Sequence, residues 1–349
     1  MMHTTTIPHT KESLKEAWNE FKTNNPKKRI REAAAALNVS EAELLATTVG
    51  ETSVLLEGDW TEFIQDCKRL GKVMSLTRSE GCVLENQGNF QKIEIHGSPA
   101  FQVGTVIGPI EQRIFFSPWT FGFAVEQESH RGILKSFQFF DKAGDAIMKI
   151  YMKEKSNLEV YEELTAKYKA PDQEKKVEAV PYPTPEYSKE IDKEAFTQDW
   201  ENMKDTHDFH GMLSKYKIHR LEAIKLIGEK WAYPIDRLSA RKILAVASNS
   251  KLPIMIFAGN RGNIQIFQGK VRTIRQMDNW LNVLDPDFNM HLNEDTIDSA
   301  WVVHKNTTDG LVTAVELFDK EGEIVAQFFG LRKPGIPQRD AWRELAASL

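Results

Sequence analysis

The chain contains the same succession of motifs twice. Residues 131–152 read RGILKSFQFFDKAGDAIMKIYM, and residues 309–330 read DGLVTAVELFDKEGEIVAQFFG. Both copies place Phe-Asp-Lys-x-Gly between two strand-like runs. Two further pairs of segments correspond in the same order, namely 73–88 with 254–269 and 123–132 with 301–310. Because every block recurs at nearly the same offset, the sequence predicts that a whole domain has been duplicated in tandem.

In each half, predicted helices come before predicted strands. Residues 10–48 and 60–70 have apolar residues at helical spacing, whereas residues 72–152 alternate apolar and polar residues between hairpin signals. The same order returns with helices over 193–247 and strands over 253–331. The sequence therefore predicts an α+β fold in which each half carries helices followed by a large antiparallel β-sheet.

A segment rich in proline and charge separates the two halves. The first repeat is predicted to cover residues 1–170 and to end in a short helix over 157–168. Residues 171–192 contain little that could pack, so they are predicted to be a linker. The second repeat then covers residues 193–349.

Composition excludes several classes of protein. The 349 residues carry a formal net charge of −5, which argues against a nucleic-acid binder. No apolar run is long enough to span a bilayer, and the first residues lack the pattern of a secretory signal. The two cysteines, Cys67 and Cys82, match no zinc spacing and are expected to be core thiols. These features predict a cytoplasmic protein without membrane insertion.

The fragment Asp-Thr-His-Asp-Phe-His at 205–210 is the first candidate site. Asp205 or Thr206 is a good helix N-cap, which would place His207 in the first turn, where the helix dipole keeps imidazole neutral. His210 follows on nearly the same helix face. A solvated surface histidine is the alternative, and a zinc site lacks further ligands nearby.

Dispersed cations add a second element to this candidate site. Arg and Lys residues at turns and element ends, together with a neutral histidine, suit a planar dianionic metal ligand such as haem, whose propionates accept charge-assisted hydrogen bonds. Solvation of each cation is the alternative, and aromatic residues on strands are often core. The cations are Arg220, Arg261, Lys305 and Arg332, and the aromatic candidates for apolar walls are Phe115, Phe116 and Phe257.

The chain resembles the HemS/ChuS family of bacterial hemin-degrading and haem-carrier proteins over almost its full length. The matching segments keep their order across both halves: NNPKKRIREAAAALNVSEAEL, RSEGCVLENQG, FQFFDKAGDA, DTHDFH, IFAGNRGNIQIFQG, DNWLNVLDPDFNMHL, WVVHKNTTDG and ELFDKEGEIVAQFFG. The resemblance implies that haem b (iron protoporphyrin IX) binds in a cleft between the two halves.

Residue by residue, the resemblance implies a complete set of haem contacts. His207 would be the proximal ligand of the haem iron, and Arg113 would face the iron from the distal side. His210 would be an accessory ligand, and Phe329 stands where the family often carries Tyr. The remaining contacts would be Phe115 and Phe257 at the haem faces, and Arg220, Arg261, Lys305, Gln327 and Arg332 around the propionates and polar rim.

Two functions of one pocket follow from the resemblance. In the first, the protein degrades haem oxidatively with an external electron donor, Arg113 and His207 being the catalytic residues, and releases iron for iron acquisition. In the second, it carries or stores haem, taking it from a haem importer and passing it to an acceptor protein. A protein scaffold that no longer binds haem is the third alternative.

Overall fold

The computed structural model describes residues 10–129, 132–332 and 335–349. The first residues of the chain, in which no secretory signal is predicted, lie outside these ranges, as does Arg131, the first residue of the repeated motif. Its α-helices are α1 (Lys11–Asn24), α2 (Ile30–Leu37), α3 (Glu41–Ala46), α4 (Trp60–Asp66), α5 (Leu158–Tyr168), α6 (Lys193–Glu201), α7 (Asp208–Tyr216), α8 (Arg220–Ile227), α9 (Ser239–Ser250) and α10 (Asp340–Ala347).

The strands fill most of the remaining sequence. They are β1 (Ser53–Leu56), β2 (Gly71–Arg78), β3 (Cys82–Gly88), β4 (Lys92–Ser98), β5 (Phe101–Ile107), β6 (Glu111–Phe115), β7 (Trp119–Ser129), β8 (Gly132–Asp141), β9 (Ala146–Ser156), β10 (Ala232–Ile235), β11 (Ile254–Gly259), β12 (Asn263–Gly269), β13 (Ile274–Met277), β14 (Trp280–Asp285), β15 (Phe288–Asn293), β16 (Ser299–Lys305), β17 (Val312–Phe318) and β18 (Ile324–Gly330).

The predicted order of helices followed by strands is confirmed, apart from the short strands β1 and β10, which lie among the helices, and helix α10, which follows the strands. Strand β10 interrupts the region over 193–247 that was predicted to be helical. It pairs with β16, Ala232 opposite Val303. A run of four residues is too short for periodicity to distinguish a strand from a helix, and the aromatic Tyr233 and β-branched Ile235 favour the strand. The α+β class with large antiparallel sheets is confirmed.

The chain forms two compact units that are discontinuous in sequence. The first consists of residues 10–75, 88–108 and 114–183. The second consists of residues 76–87, 109–113 and 184–349. Short pieces of the first repeat therefore belong to the unit that contains the second repeat. The predicted domain bounds at 170 and 192 describe the sequence repeats and stay a prediction.

In the first unit, strands β1, β7, β8, β9 and the first residues of β2 are neighbours in that order. Helix α4 packs on them through Phe63, whose ring lies edge-on at 5.0 Å from the rings of Phe137, Phe139 and Tyr168. Aromatic pairs of this geometry add to the free energy of burying the rings. An aromatic core therefore joins this sheet to α4 and α5.

In the second unit, strands β10, β16, β17, β18, β11 and β12 are neighbours in that order. Helices α6, α7 and α8 cover one face, where Trp200 and Ile224 pack in the same cluster as Val303 and Phe318. Helices α9 and α10 cover the other face, in a cluster that includes residues of β3, β14 and β15. Several of the predicted site residues lie on the face that carries α6–α8.

The repeated Phe-Asp-Lys-x-Gly motif is a turn that the aspartate closes. Asp141 Oδ1 accepts the backbone N–H groups of Ala143 at 2.9 Å and Asp145 at 3.0 Å. Asp319 makes the same two bonds in the second unit. Gly144 has φ +77°, a conformation that glycine adopts without strain. The same local bonds therefore account for the motif in both copies.

The predicted linker contains neither helix nor strand over 171–192. It is not devoid of packing, however, because Val177 is buried. The amide of Gln173 also accepts from the backbone N–H of Leu55 and donates to its carbonyl. The expectation that little in this segment could pack is wrong for residues 173–177.

Other expectations concern burial and membrane spans. Cys67 and Cys82 are free and buried, as predicted for core thiols, and burial raises the pKa of the Cys82 thiol to about 12. Among the helices of the described ranges, none is both long and apolar enough to cross a membrane.

We predict that Gly330→Ala destabilises the fold. A Cβ at this position would lie 2.6 Å from Cγ of Trp342, which is fully buried. Trp342 is also held by a 2.9 Å bond from Nε1 to the carbonyl of Thr313. Overpacking of this kind costs about 1–3 kcal/mol, to be measured by urea unfolding. In the control Gly211→Ala, the added Cβ meets nothing within 4 Å, so the free energy of unfolding should not fall.

Candidate functional site

One face of the sheet in the second unit collects predicted site residues from distant parts of the chain. Phe257 on β11 lies opposite Gln327 on β18, and Gln327 lies opposite Glu316 on β17. Directly opposed residues of antiparallel strands point to the same face, and so does Phe329, two residues after Gln327. The rings of Phe257 and Phe329 are 4.8 Å apart and half-buried. The two aromatics therefore form one apolar patch beside Gln327.

A buried carboxylate stands at the centre of this face. Glu316 has no exposed side-chain surface, and it binds Arg220 of α8 through two bonds, from Nε at 2.8 Å and from Nη2 at 2.7 Å. Lys305 Nζ and Gln327 Nε2 each donate to Oε1 of Glu316 at 3.0 Å. Three residues predicted at the ligand's rim thus meet on one glutamate that sequence reasoning did not single out.

The charges of this cluster change the pKa of its members. Burial alone would raise the pKa of Glu316, but the charges and hydrogen bonds of Arg220 and Lys305 outweigh burial and hold that pKa well below its usual range. Burial lowers the pKa of Lys305 to about 8, because Glu316, shared with Arg220, offsets the desolvation only in part. The prediction of solvated cations is wrong for Lys305, which is only 4% exposed.

Phe209 ties helix α7 to the charged cluster. Its ring is buried, with Lys305 Nζ 4.4 Å and Arg220 Cζ 5.0 Å from the ring centroid. Partial desolvation lowers the pKa of the neighbouring His210, and the positive charges of Arg220 and Lys305 lower it further, although the residue as a whole is exposed. His210 therefore lies beside the cluster with a pKa below its usual range.

His207 is the N-cap residue of α7, one position before the first turn in which it was predicted. Neither Asp205 nor Thr206 is the cap. Asp205 Oδ1 instead accepts the backbone N–H of His207 at 2.8 Å and lies 2.5 Å from Nδ1 of its ring. Burial alone would raise the pKa of Asp205, but these bonds lower it. Asp205 is not the N-cap because its side chain is used in these local hydrogen bonds to His207.

The ring of His207 is presented to solvent in a fixed orientation. Its side chain is 82% exposed, and only Nδ1 is engaged, by Asp205. Because a carboxylate accepts hydrogen bonds, Nδ1 carries the proton, and in the neutral ring the lone pair is on Nε2. A histidine whose second nitrogen donates to a carboxylate is the usual arrangement of a metal ligand. His207 therefore has the arrangement that a ligand of a metal centre requires.

Two further predicted cations lie at the edge of this face. Arg332, two residues after β18, is half-buried, and its Nη2 lies 3.4 Å from Oγ1 of Thr206, beside His207. Arg261 is exposed in the turn between β11 and β12, as predicted. Burial raises the pKa of Tyr187, and the charge of Arg261 opposes that rise, so Arg261 lies near this phenol. Arg332 thus lies beside the His207 loop.

Arg113 points to the same sheet face from strand β6. Gln268 lies opposite Met255 on β11, and its amide donates to Oε2 of Glu111. Arg113 follows Glu111 by two residues and therefore points the same way; its Nη2 lies 3.4 Å from Oε1 of Glu111. Burial raises the pKa of Glu111, and Arg113 and Gln268 offset that rise only in part. Arg113 is thus a cation anchored beside a carboxyl of raised pKa.

The aromatic candidates next to Arg113 have different roles. Phe115 is the last residue of β6, is half-buried and belongs to the first unit. Phe116 is buried, with its ring 5.6 Å from that of Trp119. Phe116 is therefore a core residue, which was the alternative reading of the strand aromatics.

The arrangement suits an anionic metal complex better than a bare metal ion. Over the described part of the chain, no three His, Cys, Asp or Glu side chains are grouped so that they could hold a metal ion, which excludes the zinc alternative there. One exposed imidazole can supply a single bond to a metal, and the cations can supply bonds to carboxylates. Sequence reasoning missed Glu316, Phe209 and the orienting role of Asp205. A lone glutamate in the apolar run of β17 was the available signal, because a buried carboxylate requires partners.

The chain is similar to known proteins over nearly its whole length. The sequence profile of the haemin-degrading HemS/ChuX domain matches residues 38–168 and again residues 217–349. The hemin transport protein HemS of Yersinia enterocolitica is 32% identical over 340 residues, which cover 97% of each chain.

Solved structures match over the same length. The structure of holo-PhuS, a heme-binding protein from Pseudomonas aeruginosa, matches with a TM-score of 0.93 and 40% identity, over 97% of this chain and 99% of that one. The heme degrading enzyme ChuS of Escherichia coli O157:H7 matches with a TM-score of 0.92 and 31% identity, over the same shares. The chain belongs to the haemin-degrading HemS/ChuX family.

Proposed function

We propose that this protein binds haem b and serves haem utilisation in the cytoplasm, with His207 as the proximal ligand of the iron. The observation that carries the proposal is the pairing of Asp205 with Nδ1 of His207, an exposed ring whose Nε2 is then the nitrogen available to a metal. Neutral imidazole whose other nitrogen is held by a carboxylate is a strong ligand for haem iron.

The surroundings of His207 fit the rest of a haem molecule. Haem is a planar apolar ring with two carboxylates, so its site needs apolar walls and cations at one edge. Phe257 and Phe329 supply an apolar patch, and the Glu316 cluster brings Arg220 and Lys305 to the same sheet face. Arg332 and Arg261 are the cations proposed for the second carboxylate. Phe329 contributes its ring without the hydroxyl that a tyrosine would add.

The proposed reaction is oxidative degradation of haem, which releases the iron. Reduced haem iron supplies the activation of oxygen, and the electrons come from an external donor. In this proposal Arg113 donates hydrogen bonds on the distal side, and Phe115 lines a haem face. The support is the position of Arg113 on the same sheet face, where its guanidinium is held beside Glu111.

A second candidate function is haem transfer without degradation. The observation that favours it is His210, which follows His207 by one helical turn and whose pKa partial burial and neighbouring cations lower. A neutral second histidine is suited to take the iron during hand-over from an importer or to an acceptor protein. The relatives carry both kinds of name: HemS is called a transport protein and ChuS a degrading enzyme.

We predict that His207→Ala weakens hemin binding at least about tenfold, because loss of even a ligand's hydrogen-bond partner costs that much. Titration followed at the Soret band measures the affinity and also the ligation state of any residual complex. The matched control is His96→Ala, because His96 is likewise exposed and lies 3.8 Å from a carboxylate two residues earlier, Glu94. Unchanged affinity and spectrum in His207→Ala would exclude it as the ligand.

We predict that Arg113→Ala leaves hemin affinity within about threefold but slows reductant-driven loss of the Soret band at least about tenfold, as expected for a donor that acts on developing charge. Stopped-flow absorbance after mixing with reductant and oxygen measures this rate. Arg343→Ala on α10 removes a surface arginine paired with Asp340 and should change neither quantity. Equal rates in all three proteins would remove Arg113 from the reaction.

One time course distinguishes degradation from transfer. The protein is mixed with stoichiometric hemin, a reductant and oxygen, with catalase present to remove free peroxide that bleaches haem without an enzyme. Loss of the Soret band with release of iron and a defined open-chain product establishes degradation. A stable histidine-ligated spectrum that passes intact to an acceptor protein establishes a carrier.

A further inference from the structure

We propose that Glu316 is the positioning residue of this site: it holds Arg220, Lys305 and Gln327 in one arrangement that receives a single carboxylate of the ligand. The inference deepens the proposed function and rests on it, because the carboxylate in question is one propionate of haem. Glu316 itself is not proposed to touch the ligand, since its side chain is fully buried.

The geometry gives Glu316 control over three donors at once. Nε and Nη2 of Arg220 donate to the two carboxylate oxygens of Glu316, and this pair of bonds fixes the plane of the guanidinium group. Lys305 and Gln327 reach the same Oε1, each at 3.0 Å. Long side chains held by a common acceptor lose little further entropy when they bind a ligand.

The cluster carries more positive than negative charge. Its charged members are Arg220 and Lys305 against Glu316, so two cations share one anion. Burial, together with the charge of Arg220, lowers the pKa of Lys305 to about 8 even with Glu316 beside it. A further carboxylate at the open side, where Gln327 is half-buried, would balance this charge.

The first repeat provides an internal comparison for the strand residues. Its cross-strand pair Gln138–Lys149 corresponds in sequence and in register to the pair Glu316–Gln327 of the second repeat. In the first copy the charged residue of this pair is Lys149 on the second strand, whereas in the second copy it is Glu316 on the first strand. The position and the sign of the charge therefore differ between the copies.

The helix residue has changed sign as well. Helices α3 and α8 begin with Glu41 and Arg220, and in each the preceding residue lies against the glycine of the repeated turn. In the first repeat Glu41 pairs with Lys149 at 2.9 Å. Both copies thus keep a buried ion pair under the first turn of a helix, and in the second copy Glu316 binds Lys305 as well as Arg220.

Removal of the carboxylate would change the charge state of Lys305. The charged and titratable groups that face Lys305 are Glu316 on β17, Arg220 on α8 and His210 on α7. Of these, only Glu316 raises the pKa of Lys305. Without it, Lys305 loses its proton at lower pH, and the site then keeps one cation fewer at neutral pH.

The test uses metal-free protoporphyrin IX, which keeps both propionates and removes iron ligation by His207. Its affinity is measured by fluorescence from about pH 6 to about pH 9.5, a range that brackets the titration of Lys305. The native protein should lose affinity as the pH rises through about 8. In Glu316→Gln this loss should occur at least about one pH unit lower, with affinity near neutral pH reduced roughly tenfold, as expected for one lost charge-assisted bond.

Two comparisons separate positioning from general damage to the fold. Glu41→Gln breaks the corresponding buried ion pair of the first repeat and should leave both affinity and pH profile unchanged. The dimethyl ester of the same porphyrin lacks carboxylates, and its affinity should differ less than about twofold between native protein and Glu316→Gln. An unchanged pH profile in a folded Glu316→Gln protein would overturn the proposal.

A second variant keeps the proposal testable if Glu316→Gln does not fold. Lys305→Gln retains Glu316 and removes the titrating group, so the loss of affinity near pH 8 should disappear. Persistence of that loss in Lys305→Gln would contradict the proposal. Failure of the native protein to bind either hemin or the metal-free porphyrin would contradict the proposed function itself, which is a distinct outcome.

Discussion

The hydrogen bonds that converge on Glu316 are the interaction on which the rest of the site depends. The carboxylate lies on the middle strand of three neighbours and joins them to helix α8 through Arg220. A carboxylate buried without partners would be strongly unfavourable, so its position dictates where cations must stand. Those cations in turn lie against Phe209, and Phe209 fixes the start of α7. The histidine proposed to bind iron lies two residues before Phe209, so contacts that begin inside the sheet reach the start of its helix, while Asp205 orients its ring.

The duplication separates what the fold requires from what the site requires. Both copies keep the aspartate-closed turn, the register of three strands and a buried ion pair below a helix start. They differ in the identity of the charged residues, in the extra lysine of the second copy and in the ring at Phe329, where the first copy has Tyr151. A scaffold that is present twice can lose polar residues from one copy without losing its core. Through such divergence, two copies of one fold come to carry different polar residues on the corresponding faces of their sheets.

The fold was predictable from the sequence because its signals are local and repeated. Alternating apolar residues, turn residues and helical spacing of apolar residues each occur in both halves. The order of helices and strands could therefore be predicted without knowledge of any long-range contact. Strand β10 escaped because four residues show no period. The candidate site was predictable in part: Lys305 was singled out as a dispersed cation, and Arg113 by resemblance. The arrangement of the candidate residues was not predictable, since β18 pairs with β11 and β12 has β6 as its neighbour, and both pairings join distant parts of the chain. Glu316 was missed because a charged residue inside a strand looks like a solvated one until its neighbours are known.

The discontinuity of the second unit has a consequence for biosynthesis. Strand β3 leaves the ribosome early, yet its partner strand β15 lies far ahead in the chain, with Glu85 bonded to Asn289 across 204 residues. At usual rates of translation that interval lasts roughly ten to forty seconds. During this time one edge of β3 lacks the strand with which it pairs in the folded protein, and an exposed strand edge can pair with other nascent chains. Glu85 and Gln87 place polar side chains at alternate positions of β3, and side chains of this kind disfavour pairing at an exposed strand edge.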